Sequence, residues 1–397
     1  LAGLKWIRSQ QALPRPAQAQ LTSEAFLLPR KDLDLEKEAS SFDLLRGMQV
    51  MQPPLSRITG LGIHLPEQVV DNEQMAQMVD APKRLKRLLP SLIQKVTGIK
   101  TRRFAPPGTA PSDLATDAAR SALDAAGLAP ESIDTLIFAS TDQDAIEPAT
   151  ANIVQQKLNL PLTNAFDLSN ACNSFVQALK VANALIACGA AQRVLIAVGE
   201  VCSYVRTKSV ADMGELRYKM GGLTLGDAGA AVVVEKSGDE RGFIEMNLQN
   251  LGEYWSLCRV PADLSWRDEE LGRSHGSFYL DMPELAKVVR KYIGPYVRSY
   301  EAFRKETHSE ESVKEKLALV IPHQISKRFI QELAGSFTAV KKMMITADYL
   351  GNTASASIPV ALHLALEQGL IAHGSGQEIL LFAAASGYSI GHIRMKL

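Results

Sequence analysis

From residue 57 onward the order strand, helix, strand, helix, strand, helix, strand, strand occurs twice, offset by roughly 180 residues. That period is too long for a solenoid and implies a duplicated domain. The first copy runs through "RITGLGIHL" (57–65), a helix over 112–127, "DTLIFAS" (134–140), a helix around 149–158, "NAFDL" (164–168), a helix over 172–188, "RVLIAVGE" (193–200) and "GAAVVVEK" (229–236). The second runs through "GFIEMNLQ" (242–249), a helix within 282–302, "LALVIPH" (317–323), a helix over about 326–335, "KMMITAD" (342–348) read as a strand, a helix over about 355–368, "EILLFAA" (378–384) and "GHIRMKL" (391–397). The strand runs are almost continuously apolar, which predicts α/β sheets covered on both faces. The helix over 172–188 is apolar nearly all round, so it is expected between the two halves.

The expected organisation is an extension over 1–55, taken as flexible, then one half over 56–241 and another over 242–397. Extra sequence near 203–223 interrupts the repeat and is a candidate lid or dimer element. The first 23 residues carry basic residues and no acid, compatible with a transit peptide, a disordered extension, or sequence upstream of a natural start at Met48 or Met51.

Of 397 residues, 46% are hydrophobic, enough for a large core, and Lys plus Arg (43) balances Asp plus Glu (43). That balance argues against nucleic acid as a partner and favours a small-molecule role. The four cysteines, Cys172, Cys188, Cys202 and Cys258, lack metal or disulfide spacing. No metal or cofactor is expected, and a reducing cytoplasm fits. No apolar run reaches the roughly 20 residues that a membrane-spanning helix needs.

Ligand sites of open parallel sheets lie beyond the carboxyl ends of the strands. Cys172 follows "NAFDL", His323 closes "LALVIPH" and Asn352 follows "KMMITAD", so all three are expected on one side of the molecule. Cys172 and Asn352 occupy nearly equivalent positions in the two copies. At a helix N-terminus Cys172 is expected to have a lowered pKa and to act as a nucleophile. His323 can take or hold its proton, and Asn352 can add an amide donor toward a developing enolate. The N–H groups of Cys172 and of the turn at Ser386 and Gly387 form a candidate oxyanion hole. Taken singly, each residue has a plainer reading: a packed thiol, a structural histidine, a helix cap.

The ordered set "NACNSF" (170–175), "GDAGAA" (226–231), "IPHQ" (321–324), "GNTASASIP" (351–359) and "SGYSIG" (386–391) resembles the ketoacyl-ACP synthase III branch of the thiolase superfamily. The resemblance covers residues 57–397. It implies a duplicated five-layer α-β-α-β-α fold with pseudo-twofold symmetry, a homodimer, and a Cys172–His323–Asn352 triad. An acyl group is loaded on Cys172 and then joined to a second thioester from acyl-CoA or an acyl carrier protein, giving a β-ketoacyl product in fatty-acid or polyketide synthesis.

Within the branch, "DAIEPATANIV" (144–154) and "EYWSLCR" (253–259) resemble the enzymes that join two fatty acyl-CoA chains head to head. The resemblance gives Glu147 the role of a base delivered to the partner's site; the plainer reading is a surface carboxylate. The branch's usual Trp and Arg before "TGI" are replaced by Leu92 and Val96. Basic residues over 83–103 (Lys83, Arg84, Lys86, Arg87, Lys95, and above all Lys100, Arg102 and Arg103) could bind CoA phosphates or an acidic carrier, or form a solvated face. Three alternatives stay open: malonyl-dependent decarboxylative condensation, acyl transfer to oxygen or nitrogen, and a non-catalytic partner subunit. The absence of a second cysteine after Cys258 argues against degradative thiolases, and the lack of a Gly-Phe-Gly-Pro-Gly signature against plant-type polyketide synthases.

Overall fold

The strand Arg193–Glu200 is buried at every residue after its first, as a strand covered on both faces must be. It lies third in a five-stranded sheet of order Ser56–His64, Ala228–Lys236, Arg193–Glu200, Thr135–Phe138, Asn164–Asp167. The first three strands pair antiparallel and the last three parallel. A second sheet of order Gln49–Val50, Gly242–Asn250, Ser389–Lys396, Glu378–Ala385, Leu319–Pro322 repeats that scheme from Gly242–Asn250 onward: antiparallel, antiparallel, parallel. The computed structural model describes residues 44–260, 278–307, 317–338, 340 and 342–397.

Five layers result. The helices Ser174–Ala187 and Ser357–Glu367 lie between the sheets, where Phe175, Leu179, Val360 and Leu362 share one core with Ile196, Val232, Leu319 and Leu381. The helices Pro111–Ala126 and Thr150–Leu158 cover the outer face of the first sheet. The tyrosine-rich helix Met282–Thr307 and the helix Lys327–Ala334 cover the outer face of the second. This is the duplicated five-layer architecture expected from the repeat.

The structure corrects the sequence reading in several places. "KMMITAD" is not a strand. It touches Leu319–Pro322 only through a single-residue bridge, Val320 to Met343, and then turns into the short helix Ala347–Leu350. A side chain takes over the role of a ladder there: Gln324 Oε1 accepts from the N–H of Thr346 (2.7 Å) and Ala347 (3.2 Å), while its Nε2 donates to Pro322 O (2.7 Å).

The helix after the first-half turn begins at Ser174, with Cys172 outside it. Residues 44–55 are not a loose tail: Gln49–Val50 pairs with Gly242–Asn250, and Leu44 and Met51 are buried. Residues 1–43 lie outside the described residues. The stretch 203–223 is docked, with Val210, Leu216, Met220 and Leu223 packed against Leu85, Leu89 and Ile93 of the helix Lys83–Thr97.

Candidate active site

Between Asn164–Asp167 and Ser174–Ala187 the chain makes a tight elbow. Ala171 adopts φ +47°, a left-handed conformation uncommon for a residue with a Cβ. The Ser174 hydroxyl holds the elbow, accepting from Asn170 N–H (2.8 Å) and donating to Ala171 O (2.7 Å). Cys172 therefore stands at the apex of a turn, two residues before the helix.

The consequence for its thiol is opposite to the sequence expectation. Cys172 is half-buried against the cluster of Cys202, Leu225 and Ala354, and burial pushes the thiol up, reinforced by the nearby Cys258 and Glu200. That favours the neutral thiol.

His323 follows the strand Leu319–Pro322, where Phe382 O accepts its backbone N–H at 2.9 Å. It is 1% exposed, and burial lowers its imidazole to about 3. His323 Nδ1 shares a 2.6 Å hydrogen bond with the Ser357 hydroxyl, which fixes the ring and leaves Nε2 to serve the site. A neutral thiol and a neutral imidazole suit proton transfer during attack, rather than a standing ion pair.

Asn352 lies in a clasp of two segments. Its N–H donates to Thr224 O (2.8 Å) and its carbonyl accepts from Gly226 N–H (3.0 Å). Glycine is required on both sides of this approach. A Cβ on Gly226 would lie 2.4 Å from Leu350 O; one on Gly351, at φ +72°, would lie 2.5 Å from Thr224 O. The Asn352 Oδ1 accepts from Ala354 N–H (3.0 Å), which leaves the NH₂ end of the amide as donor.

The three residues converge on one short segment. Asn352 opens it, Ala354 packs against Cys172, and Ser357 holds His323. The turn at Ser386 joins from the second sheet. Its hydroxyl lies close enough to Cys172 and Cys258 to favour their ionised forms, and Asn173 Nδ2 donates to Ser389 Oγ (2.6 Å), tying that turn to the elbow. Gly387 takes φ +118° in the same turn.

Other candidates fall elsewhere. Glu147 is exposed on the loop before the helix Thr150–Leu158, beside Ile146, which is 76% exposed. Arg102 cannot meet a phosphate. It is fully buried, donating to Asn72 Oδ1 (2.9 Å) and Leu223 O (2.8 Å), and burial lowers it to about 10. Arg103 is half-buried and donates to Pro66 O at 2.8 Å. Lys100 is exposed and, with Lys95, Gln94, Lys327 and Arg328, lines a groove of about 550 Å³. Among the described residues no group of three or more His, Cys, Asp or Glu side chains could hold a metal ion, and no helix is long and apolar enough to cross a membrane.

Sequence reasoning missed Ser357, Cys258 and Glu200. Only Glu200 left a signal, as an acid closing an otherwise apolar strand at the site end.

Comparison with known proteins places this geometry. Residues 166–252 match the family model of 3-oxoacyl-[acyl-carrier-protein] synthase III, and residues 308–397 match its C-terminal counterpart. The β-ketoacyl-[acyl-carrier-protein] synthase III of Neisseria meningitidis is 32% identical over 351 residues, covering 86% of this chain and 99% of the relative. The chain belongs to the ketoacyl-ACP synthase III family. This synthase is thus a carbon–carbon bond-forming acyltransferase of thiolase fold.

Among solved structures it resembles the Aquifex aeolicus synthase III (31% identity, TM-score 0.70, 86% of this chain and 100% of that one). It also resembles Xanthomonas campestris OleA, solved with lauric acid and lauroyl-CoA bound (24% identity, TM-score 0.73, 87% and 100%). At that identity OleA speaks for the fold of the synthase alone.

Proposed function

We propose that the synthase loads an acyl chain on Cys172 and condenses it with a second acyl-CoA, head to head, to a β-ketoacyl thioester. The observation that carries this reading is the convergence of Cys172, His323 and Asn352 on residues 352–357. In the first half-reaction the Cys172 sulfur attacks the donor thioester carbonyl while its proton passes to His323 Nε2. The tetrahedral intermediate collapses, and the CoA thiolate leaves with that proton. Backbone N–H groups of Cys172 and Gly387 donate to the transient oxyanion.

In the second half-reaction the Asn352 amide donates to the carbonyl oxygen of the incoming thioester as it becomes an enolate, and His323 joins it in the tautomer that carries its proton on Nε2, with the Ser357 hydroxyl donating to Nδ1. Its carbon attacks the Cys172 thioester, the C–S bond breaks, and the thiolate is reprotonated.

Without a carboxylate to lose, the incoming acyl-CoA needs a base for its α-proton. Glu147 is exposed here, as is its neighbour Ile146 (76%), and Leu162 (104%) is exposed just before Asn164–Asp167, a strand paired on one side only among the described residues. An exposed leucine beside such a strand edge suits pairing with a second copy. In that homodimer the loop bearing Glu147 supplies the base to the partner's site. The groove at Lys95, Lys100 and Arg328 suits CoA phosphates or an acidic carrier.

A second reading, decarboxylative condensation with a malonyl donor, is favoured by the 32% identity to the Neisseria synthase III. Incubation with lauroyl-CoA alone, followed by mass spectrometry of thioester products, separates the two. A twenty-four-carbon β-ketoacyl product supports head-to-head joining, whereas acyl-Cys172 that turns over only with malonyl thioester supports the other.

A further inference from the structure

Glu200 closes the strand Arg193–Glu200 with its side chain fully buried, and it is the meeting point of three segments. Thr141 N–H donates to its Oε1 at 2.8 Å and Asp142 N–H to its Oε2 at 3.3 Å. From the other side the hydroxyl and the N–H of Ser355 both donate to Oε1, and the same hydroxyl reaches Ala139 O at 3.1 Å. Ser140, between these contacts, accepts Gly199 N–H on its hydroxyl (2.9 Å) and lies with its carbonyl 3.4 Å from the Ser174 hydroxyl that holds the Cys172 elbow. A carboxylate placed there without a cation opposite it among its hydrogen-bond partners serves as an acceptor for converging donors.

We propose that Glu200 is a positioning residue for the condensation step: as a carboxylate it fastens Ser355, and with it the Asn352 amide, to the loop at 139–142. The inference rests on the condensing chemistry and holds for either second substrate. Acylation of Cys172 depends on the elbow, which Ser174 holds directly, and removing the Glu200 charge takes away one influence that holds the thiol up, so acylation is not slowed. Enolate stabilisation depends on where the Asn352 amide sits, and displacement of such a group by about 1 Å can cost a hundredfold in rate.

Protonation state matters because a neutral carboxyl gives up acceptor capacity. Burial raises Glu200 to about 7. The ionisable groups facing it are Asp142 from the loop, Cys202 with Sγ 3.8 Å from Oε2, and Cys172 from the elbow. Behind Cys202 lies Asp227, raised to about 6 by burial and held by Ala105 and Ser203 N–H.

The test separates the half-reactions. Cys172 acylation by lauroyl-CoA is timed by intact-protein mass spectrometry, and β-ketoacyl formation from the acylated enzyme is followed with lauroyl-CoA and with malonyl carrier, from pH 5.5 to 8.5. For Glu200→Gln the expected result is acylation within about twofold of wild type, condensation lowered roughly ten- to hundredfold at pH 8, and loss of the wild-type rise in condensation rate through about pH 7. Ser355→Ala removes one donor without touching the carboxylate, and is expected to give the same split more weakly. It also stands in if Glu200→Gln does not fold. Equal loss in both half-reactions, or condensation within twofold of wild type with its pH limb intact, overturns the proposal.

Discussion

The two halves share a strand order but finish it differently. In the first, the last parallel position is a full strand, Asn164–Asp167, whose outer edge is unpaired among the described residues and whose end leads into the Cys172 elbow. In the second, the corresponding stretch forms only isolated bridges, and Gln324 takes two of its backbone N–H groups. One half keeps an edge able to pair with another chain and carries the sulfur. The other dissolves that edge and carries the imidazole and the amide. Duplication supplied two equivalent turns, and strain is placed differently in each: on Ala171 in the first half, on Gly351 and Ala354 in the second.

Experiments that break this division of labour rank by size. Cys172→Ala is expected to abolish acylation and to lower product formation on the order of 10⁴-fold or more, since the covalent step has no substitute; intact-protein mass after lauroyl-CoA incubation checks it. Asn352→Ala is expected to leave acylation measurable while condensation falls about 10²–10³-fold, the usual loss for one oxyanion donor. Timing the two half-reactions separately decides it.

Gly226→Ala drives a methyl into Leu350 O and opens the clasp. A loss of about 1–3 kcal/mol is expected in denaturant unfolding, as for other overpacking changes. Leu162→Asp acts on the open edge of the first half only. It is expected to give monomers by light scattering with condensation reduced, while the stability of the single chain moves by no more than about 0.5 kcal/mol.

Acid titration sharpens the comparison in another way. Burial lowers His323 and His392 to about 3, so the unfolded chain binds more protons below about 6.5 and stability falls as pH drops toward 3. Glu200 and Asp227 are raised, to about 7 and about 6, and act in the opposite sense down to their ordinary values of 4.5 and 3.8. Stability is therefore expected to be nearly flat from about pH 6 to 4.5, to fall gently while Asp227 still opposes the histidines, and to fall most steeply between 3.8 and about 3, where the two histidines act unopposed. Urea unfolding midpoints across that range check it.

The duplication and the placement of Cys172 and His323 after parallel strands were legible because apolar runs and turn glycines are local signals, whereas Asn352 follows the short helix Ala347–Leu350 and not the strand expected there. What escaped were properties set by distant neighbours. Arg102 sits in a basic stretch, yet the close approach of Gly226 and Gly351 to its stem encloses it. The rise in the Cys172 pKa comes from its burial against the cluster of Cys202, Leu225 and Ala354, with Cys258 and Glu200 nearby, which the helix-terminus argument could not include. "KMMITAD" has the composition of a strand, but a glutamine almost twenty residues earlier claims its hydrogen bonds.

The pairing of Gln49–Val50 with Gly242–Asn250 has a consequence for how this chain can be cut. The segment immediately before the first strand of the first half belongs to the sheet of the second, held also by Asn247 Nδ2 on Leu44 O and Gln249 Nε2 on Arg46 O. A break at the midpoint near residue 241 would leave each fragment holding or missing a piece of the other's architecture. The halves are laced like a shoe rather than stacked like bricks, so a tag or truncation that reaches residue 44 disturbs the sheet carrying the residue after which His323 is placed.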